Sequence, residues 1–350
     1  MKELTSAEHK ALVSLLGTSF PSSSEDDAFS FIDSYNDGVC VLQKDAVGNI
    51  YMTPHTGQGP TVMIAAHCDE IGLQVIHIDD NGFIRFRPVG GVDIKSTAGR
   101  QVIIFSASGR IPGVICKVPI HVEMKETTET PLNFSNLWID IGCSSKEEAL
   151  SLVSIGDMIG FTPNFIYMGG NRLASKALDN KLGVFIAATA VKRISNFTGA
   201  ANNVTTVFTV QEEVGCKGAA IAAQTLHPSW GICIDVGVAT DCPGIQIEKY
   251  GNFVLGHGPG LCFCTDSSKK LTDKAADILT QECIPFQKTT GLSASGGTDT
   301  MRMQIAGEGV PCILLSIPLR SMHTPSEVCD LRDISAAIDA VVCLVRRMEL

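Results

Sequence analysis

The chain has 350 residues, of which 45% are hydrophobic and 18% are charged, and its net charge is -10. The hydrophobic content excludes a disordered protein, and the length is sufficient for a large core and two domains. The acidic balance disfavours nonspecific nucleic-acid binding, and the longest apolar runs, such as residues 310–317, are too short to cross a bilayer. We therefore expect a globular protein with neither nucleic-acid nor membrane partners.

The start of the chain lacks the apolar segment of a secretion signal. Thr5 and Glu8 have the spacing of a capping box, which predicts a helix through Leu16. The 13 cysteines are scattered, and many lie inside apolar segments, as Cys233 and Cys312 do. Buried free thiols in a reducing cytosol explain this pattern better than a disulfide framework. We therefore expect a cytoplasmic protein.

Short β-type segments dominate the first half of the chain. Residues 39–42 and 49–52 predict short strands, and residues 61–66 predict a compact buried strand. Residues 73–78 and 83–86 flank an Asp-Asp-Asn-Gly turn, which is a strong hairpin signal.

Glycines and prolines then punctuate short β-type runs up to about residue 165, a pattern typical of a small β-rich domain. Within this stretch, residues 123–131 are polar and rich in threonine, which predicts a mobile surface loop.

From about Leu173 the pattern changes to alternating strands and helices. This change predicts one α/β domain, formed by residues 1–70 and 166–350 and interrupted by a β-barrel-like domain of residues 71–165. Two predicted helices cover residues 180–194 and 218–226, and two more begin at Ser267 and Asp333. Predicted strands cover residues 204–210, 231–234 (ending at Asp235) and 310–317.

Five short stretches end hydrophobic runs in residue types that bind metals. In α/β sheets, functional sites gather beyond the carboxyl ends of the strands, so these side chains are expected to converge. A mixture of imidazole and carboxylate ligands suits a pair of zinc-like ions in a hydrolytic centre. The stretches contain His67 with Asp69, Asp179, Glu212 with Glu213, Asp235, and His323.

Taken singly, these residues have simpler interpretations. Asp179 or Asp235 alone is typical of a helix cap or a turn, and His67 or His323 alone is typical of a hydrogen-bonded structural histidine. The adjacent glutamates, residues 212–213, would face opposite ways in a regular strand. Both reach one site only if the strand ends there, and one can then bind metal while the other transfers protons.

Five sequence blocks together resemble the glutamyl aminopeptidase-like, tetrahedral aminopeptidase family. They occur in the family's order along almost the whole chain. The resemblance implies a mixed-sheet α/β/α metallopeptidase domain, with the inserted β domain serving oligomerisation or as a lid. The blocks are residues 66–72, 177–183, 211–215, 295–299 and 323–327.

The resemblance also implies a role for each candidate residue. Glu212 would be the general acid/base, Asp69 would orient His67 through its distal ring nitrogen, and the Asp179–Asn180 peptide would be cis. In the implied dinuclear centre, His67 and Asp235 bind one metal ion, Glu213 and His323 bind the other, and Asp179 bridges the two.

The implied activity is hydrolysis of N-terminal residues from short peptides that carry a free N-terminus. Two divalent metal ions per chain are expected, with zinc first and cobalt or manganese as alternatives. The family resemblance further suggests a homo-oligomer in which dimers assemble into a hollow dodecamer.

Three other functions remain open at this point. A carboxypeptidase or deacylase needs nearly the same ligands. A glucanase needs two carboxylates on either side of a glycosidic bond, and two tryptophans provide little platform for a sugar. An inactive scaffold would retain the fold without the chemistry.

Two further features concern the substrate pocket. Residues 295–299, Ser-Gly-Gly-Thr-Asp, lack the lysine of a phosphate-binding loop and predict a tight turn beside the pocket. Arg320 is expected in a structural ion pair rather than against an acidic substrate.

The segment 20–25 departs from the family pattern without loss of any ligand.

Overall fold

A computed structural model of the chain describes residues 3–55, 59–122, 132–197 and 202–349. The loop predicted over residues 123–131 lies outside these ranges. Within them, the strands form an eight-stranded mixed sheet, a closed barrel and a small three-stranded sheet. No helix in this part of the chain is long and apolar enough to span a lipid bilayer.

The elements of the described residues alternate between strands and helices in the second half of the chain. The strands are β1 (Cys40–Lys44), β2 (Ile50–Pro54), β3 (Thr61–His67), β4 (Gly72–Ile78), β5 (Ile84–Val89), β6 (Gln101–Ser106), β7 (Gly109–Cys116), β8 (Trp138–Asp140), β9 (Met158–Phe161), β10 (Ile166–Tyr167), β11 (Arg172–Ser175), β12 (Asn203–Thr209), β13 (Trp230–Val238), β14 (Gly260–Cys262), β15 (Gln287–Thr289), β16 (Cys312–Leu319) and β17 (Glu327–Asp330). The helices are α1 (Ser6–Leu16), α2 (Asp26–Asn36), α3 (Lys146–Leu152), α4 (Leu178–Ser195), α5 (Lys217–Leu226), α6 (Ile247–Tyr250), α7 (Lys269–Gln281), α8 (Thr300–Met303) and α9 (Leu331–Arg347).

The large sheet has the strand order β1-β2-β12-β3-β13-β16-β14-β15. Its four central strands, β12, β3, β13 and β16, run parallel to one another. The register places Thr209 opposite His67 and Asp235 opposite Ser316. The carboxyl ends of the central strands therefore lie at one edge of the sheet, where α/β proteins place their functional sites.

Helices cover both faces of this sheet. Alternate residues of a strand point to opposite faces, so Ile64 packs on one side with α4 and α9, and Met63 packs on the other with α5 and α8. Leu182 and Ile338 illustrate the first interface, and both are completely buried. The result is the three-layer α/β/α architecture that the family resemblance implies.

The barrel closes through the strand order β4-β5-β8-β7-β6-β9 and has a core of its own. Leu73, Ile104 and Ile139 are completely buried in that core. The barrel strands extend from Gly72 to Phe161. The exact domain boundaries, and a role in oligomerisation or as a lid, stay predictions.

Most predicted elements agree with the structure. The capping box at Thr5 begins α1, and the Asp-Asp-Asn-Gly turn joins the paired strands β4 and β5. Three predicted positions were wrong. Asp235 lies inside β13, because pairing with β16 continues to Val238, and the cap of α7 is Ser268 rather than Ser267.

The start of α9 is the third correction. The helix begins at Leu331 with Asp330 as its cap, two residues before the predicted start. Asp333 lies inside the helix, is completely buried, and accepts hydrogen bonds from the backbone N–H groups of Gly256 and Gly258. Its carboxylate therefore anchors a distant loop.

A buried ionic cluster joins the end of β3 to the start of α4. The carboxylate of Glu70 contacts the ammonium groups of Lys176 and Lys181, and all three side chains are at most 2% exposed. Burial raises the pKa of Glu70, but the two ammonium groups outweigh burial and lower it to about 2. Burial lowers the pKa of Lys176 to about 7, although Glu70 raises it, because two cations share one carboxylate.

Replacing Glu70 by Gln is expected to lower the free energy of unfolding by about 3–5 kcal/mol, because two buried ammonium groups lose their counter-charge. The folded protein keeps this carboxylate ionised below pH 4.5, where the unfolded chain binds a proton. The loss should therefore be complete between pH 4.5 and about 7, shrink as pH falls towards 2, and shrink again above pH 7, where Lys176 loses its proton. Urea denaturation of the chelator-treated protein at a series of pH values measures it.

Glu282→Gln is the matched control, because Glu282 forms an exposed ion pair with Arg347. Its loss should cost less than about 1 kcal/mol at any pH. Equal effects of the two substitutions would contradict the stabilising role of the buried cluster.

Candidate metal centre

All seven predicted site residues lie at the edge of the large sheet where its parallel strands end. The structure brings them together from five separate segments of the chain. β3 and the residues after it supply His67 and Asp69, α4 supplies Asp179, the turn after β12 supplies Glu212 and Glu213, β13 supplies Asp235, and the loop after β16 supplies His323.

The two histidines present the same ring nitrogen to the centre. Nδ1 of His67 lies 3.0 Å from the backbone oxygen of Asp69, and Nδ1 of His323 lies 3.1 Å from the backbone oxygen of Gly91. A carbonyl oxygen can only accept, so it favours a proton on Nδ1 of each ring. Each Nε2 is then free to act as a ligand, which is the usual arrangement of metal-binding histidines.

Asp179 lies between the two imidazoles. Its Oδ1 is 3.1 Å from Nε2 of His67, and its Oδ2 is 3.3 Å from Nε2 of His323. The Asp179–Asn180 peptide is cis, as the family resemblance implies. Asn180 fixes this segment by donating from Nδ2 to the backbone oxygen of Ile234 at 2.8 Å.

The end of β12 allows two adjacent glutamates to reach the same site. The strand ends at Thr209, and the chain then turns back on itself. Oε2 of Glu212 lies 4.0 Å from Nε2 of His67, whereas Oε2 of Glu213 lies 3.6 Å from Nε2 of His323. The predicted end of the strand is confirmed, and the two carboxylates lie beside different imidazoles.

Asp235 completes the group around His67, with Oδ1 at 3.6 Å from Nε2 of that ring. Its backbone belongs to β13, so its position is fixed by strand pairing rather than by a loop. Asp235 Oδ1 also accepts the backbone N–H of Val236. Pairing with Ser316 of β16 and this hydrogen bond therefore fix the carboxylate.

Burial and crowding of carboxylates together determine the electrostatics. Burial raises the pKa of Glu212 to about 8, with Asp235 and Asp299 acting in the same direction and His67 against it. Burial and the neighbouring Asp179 also raise the pKa of Glu213. Burial lowers the pKa of His67, but Asp235 and Asp179 outweigh it and raise that pKa well above its usual range. The surroundings of the imidazoles therefore favour positive charge.

Asp69 contacts both His67 and the two glutamates. Its backbone oxygen lies 3.0 Å from Nδ1 of His67, and its carboxylate lies 3.6 Å from the same nitrogen. The carboxylate accepts the backbone N–H groups of Glu212 and Glu213, at 2.9 and 3.2 Å, and the hydroxyl of Ser22 at 2.6 Å. Asp69 therefore positions the pair of glutamates.

Three further residues support the centre. Glu327, in the block 323–327, accepts the backbone N–H groups of Asp179 and His323, at 3.1 and 2.8 Å, and so joins the two sides. The sequence gives no signal for the other two, Ser22 and Gly91, because their contacts with Asp69 and His323 depend on how distant segments pack.

A second turn beside the centre was predicted correctly. Residues 295–299 border a cavity of about 450 Å³ that also contains the candidate ligands. Asp299, at the end of this turn, is buried and accepts a hydrogen bond from Thr209. Arg320 pairs with Asp241 at 2.6 Å, so the structural ion pair predicted for it is confirmed.

Comparison with known proteins identifies the family of the chain. The sequence profile of the M42 glutamyl aminopeptidase family matches residues 48–339. The chain is 34% identical to a putative aminopeptidase of Acetivibrio thermocellus, over 89% of this chain and 90% of that protein. It is 31% identical to a lysyl aminopeptidase of Pyrococcus furiosus, over 91% and 90% of the two chains.

Solved structures are similar over nearly the full length. The TET aminopeptidase of a marine sediment archaeon (Thaumarchaeota) superposes with a TM-score of 0.92 at 28% identity, covering 98% of this chain and 97% of that one. The TET1 peptidase of Pyrococcus horikoshii, which can assemble into a tetrahedron or a large octahedral shell, gives 0.88 at 29% identity, covering 97% and 100%.

Asp69→Asn is expected to weaken zinc binding by roughly 10- to 100-fold, the usual effect of disturbing groups that support metal ligands. The amide nitrogen of Asn is a donor, so it cannot accept the backbone N–H of Glu212 or Glu213. The two glutamates would then shift. Competition against a chromogenic chelator measures the affinity. Asp157→Asn is the control, since Asp157 also accepts a backbone N–H but lies in the barrel. Zinc affinity equal to wild type in Asp69→Asn would contradict the positioning role.

Proposed function

Since the chain belongs to the M42 glutamyl aminopeptidase family, we propose that it is a dinuclear metallo-aminopeptidase that removes N-terminal residues from short peptides. The proposed cofactors are two divalent ions per chain, with zinc first and cobalt or manganese as alternatives. The proposed ligands are His67, Asp179, Glu213, Asp235 and His323.

The observation that carries this proposal is the position of Asp179 in two groups of potential ligands. The ligand atoms of His67, Asp179 and Asp235 lie within 4.8 Å of one another, and so do those of Asp179, Glu213 and His323. Asp179 directs different oxygens towards the two imidazoles. A carboxylate in this position is suited to bridge two ions.

Two buried oxygens without hydrogen-bond partners favour the binding of cations at this place. Oδ1 of Asp179 and Oε1 of Glu213 accept no hydrogen bond, although buried polar atoms rarely lack a partner. A cation supplies the missing partner and offsets the repulsion among the carboxylates. When bound, two divalent ions polarise the scissile carbonyl and acidify a water molecule.

Glu212 is the proposed general acid and base. It lies beside His67 but belongs to neither of the two groups that share Asp179. Its carboxylate accepts a proton from the attacking water and delivers one to the nitrogen of the departing peptide. Three ligand carboxylates leave one charge of the two divalent ions uncompensated, so the ionised form of Glu212 is favoured when the ions are present.

The proposed substrates are short peptides with a free N-terminus, and we propose no nucleic-acid or membrane partner. We also propose a homo-oligomer of dimers that assemble into a dodecamer, as the shell of the Pyrococcus horikoshii relative suggests. Exposed apolar side chains on the barrel segment, Ile120 at 70% and Val122 at 68%, support an interface there. The 13 free thiols favour a reducing compartment, for which we propose the cytoplasm.

The alternative functions have less support. A carboxypeptidase or deacylase requires nearly the same ligands, and only substrates separate it from an aminopeptidase. A glucanase needs two carboxyl groups about 5–9.5 Å apart that are not engaged otherwise. Here the proposed ligand carboxylates belong to groups that each contain an imidazole, and the ligand atoms within a group lie within 4.8 Å of one another. An inactive scaffold has no reason to retain all five ligands together with Glu212.

Glu212→Gln is expected to lower kcat by about 10²- to 10⁴-fold while the protein retains two metal ions per chain, because Gln cannot transfer the proton. Elemental analysis and turnover of a peptide substrate measure the two properties. Glu248→Gln, at an exposed position of α6, is the control and should retain full activity. Turnover near the wild-type rate in Glu212→Gln would exclude it as the base.

Peptides with free N-termini should be cleaved at least about 100-fold faster than the same peptides with acetylated N-termini, because a free amine is part of the recognised group. Mass spectrometry of matched peptide pairs, with the metal-loaded protein, measures the ratio. Equal cleavage of blocked peptides would favour a deacylase or carboxypeptidase instead.

A further inference from the structure

Outside the proposed centre itself, the described residues that line its cavity carry no charge. Among the described residues that line it, every Asp, Glu, His, Lys or Arg belongs to the centre itself. The rest of the wall consists of apolar side chains, small hydroxyls, thiols and glycines. The apolar residues are Val236, Val238, Leu292, Met301, Leu314 and Met322.

We infer that this wall selects N-terminal residues with uncharged aliphatic side chains, such as Leu and Met, over Glu and Lys. The inference rests on the proposed function and specifies its substrate class. Family membership does not fix this preference, because the Pyrococcus furiosus relative is named a lysyl aminopeptidase. The residues that line the cavity of this chain must therefore decide it.

The apolar residues are placed by the same elements that place the candidate ligands. Val236 directly follows Asp235 in β13, and Met322 directly precedes His323. Both residues line the same cavity as the candidate ligands, so a substrate side chain bound in that cavity would contact part of this wall. Leu314, on the neighbouring strand β16, is 1% exposed and forms the floor.

The turn at residues 291–297 covers this floor. A Cβ atom on Gly296 would lie 2.8 Å from Cδ2 of Leu314, so only glycine allows such a close approach. The hydroxyls of this cover are already engaged, since Ser293 donates to the backbone oxygen of Ser295, and Ser295 donates to Asp266. The cover adds no charge and offers few free donors.

A charged substrate side chain would find no opposite charge in this wall. Burying an unpaired ammonium or carboxylate is strongly unfavourable, whereas burying an aliphatic side chain is favourable. Two lysines, Lys249 and Lys269, line an adjacent cavity of about 570 Å³. Lys269 is 83% exposed and pairs with Asp273 at 2.6 Å. Neither lysine lines the cavity that contains the centre.

The test compares the nitroanilides of Leu, Met, Glu and Lys with the metal-loaded, full-length protein. We expect kcat/KM for Leu and Met to exceed that for Glu and Lys by about 10- to 100-fold. Preference for Glu or Lys, with turnover intact, would overturn this inference alone. Absence of turnover with all four substrates, in protein that retains its metal, would overturn the proposed function and this inference with it.

Two variants locate the selectivity. Met301→Glu places a carboxylate in the wall and should raise the ratio of Lys to Leu cleavage at least about tenfold, and Leu292→Glu, on the exposed cover, should act in the same direction. Ile305→Glu is the control, because Ile305 is 65% exposed and lies outside this cavity. Wild-type ratios in both Met301→Glu and Leu292→Glu would show that the substrate side chain lies elsewhere.

Discussion

Repulsion among buried carboxylates is the constraint on which the centre depends. Asp179, Asp235, Glu212 and Glu213 meet at one edge of the sheet with two imidazoles, and their side chains are at most 11% exposed. Like charges repel strongly where water is excluded, so positive charge beside these carboxylates stabilises the arrangement. Oδ1 of Asp179 and Oε1 of Glu213 accept no hydrogen bond from the protein. The fold therefore favours the binding of cations at this place.

The sequence was sufficient to predict the architecture and the set of residues at the centre. Each candidate followed a hydrophobic run, and parallel strands bring such ends to one edge. It was not sufficient to predict which atom makes each contact. The ring of His67 contacts the backbone oxygen of Asp69, while the carboxylate turns to the glutamates, and only the path of the chain after β3 decides between them. Ser22 and Gly91 were missed because packing between distant segments creates their contacts.

The two proposals assign chemistry and selectivity to different residues, although neighbouring positions of the same segments supply both. The candidate ligands are charged groups fixed by backbone and side-chain hydrogen bonds. The cavity wall is built from neutral neighbours of those ligands, such as Val236 beside Asp235. Under the two proposals, a substitution in the wall would change which side chain fits without removing a ligand.

The contact between Gly91 and His323 joins the barrel to the α/β domain. The backbone oxygen of Gly91 orients the imidazole, and a Cβ atom at this position would lie 2.6 Å from Nδ1 of the ring. The barrel loop is therefore a structural component of the α/β domain's centre. A barrel exchanged with that of a distant relative would have to carry a glycine and its carbonyl at the same point in space. A change in the barrel at this point would therefore reach the imidazole of His323 directly.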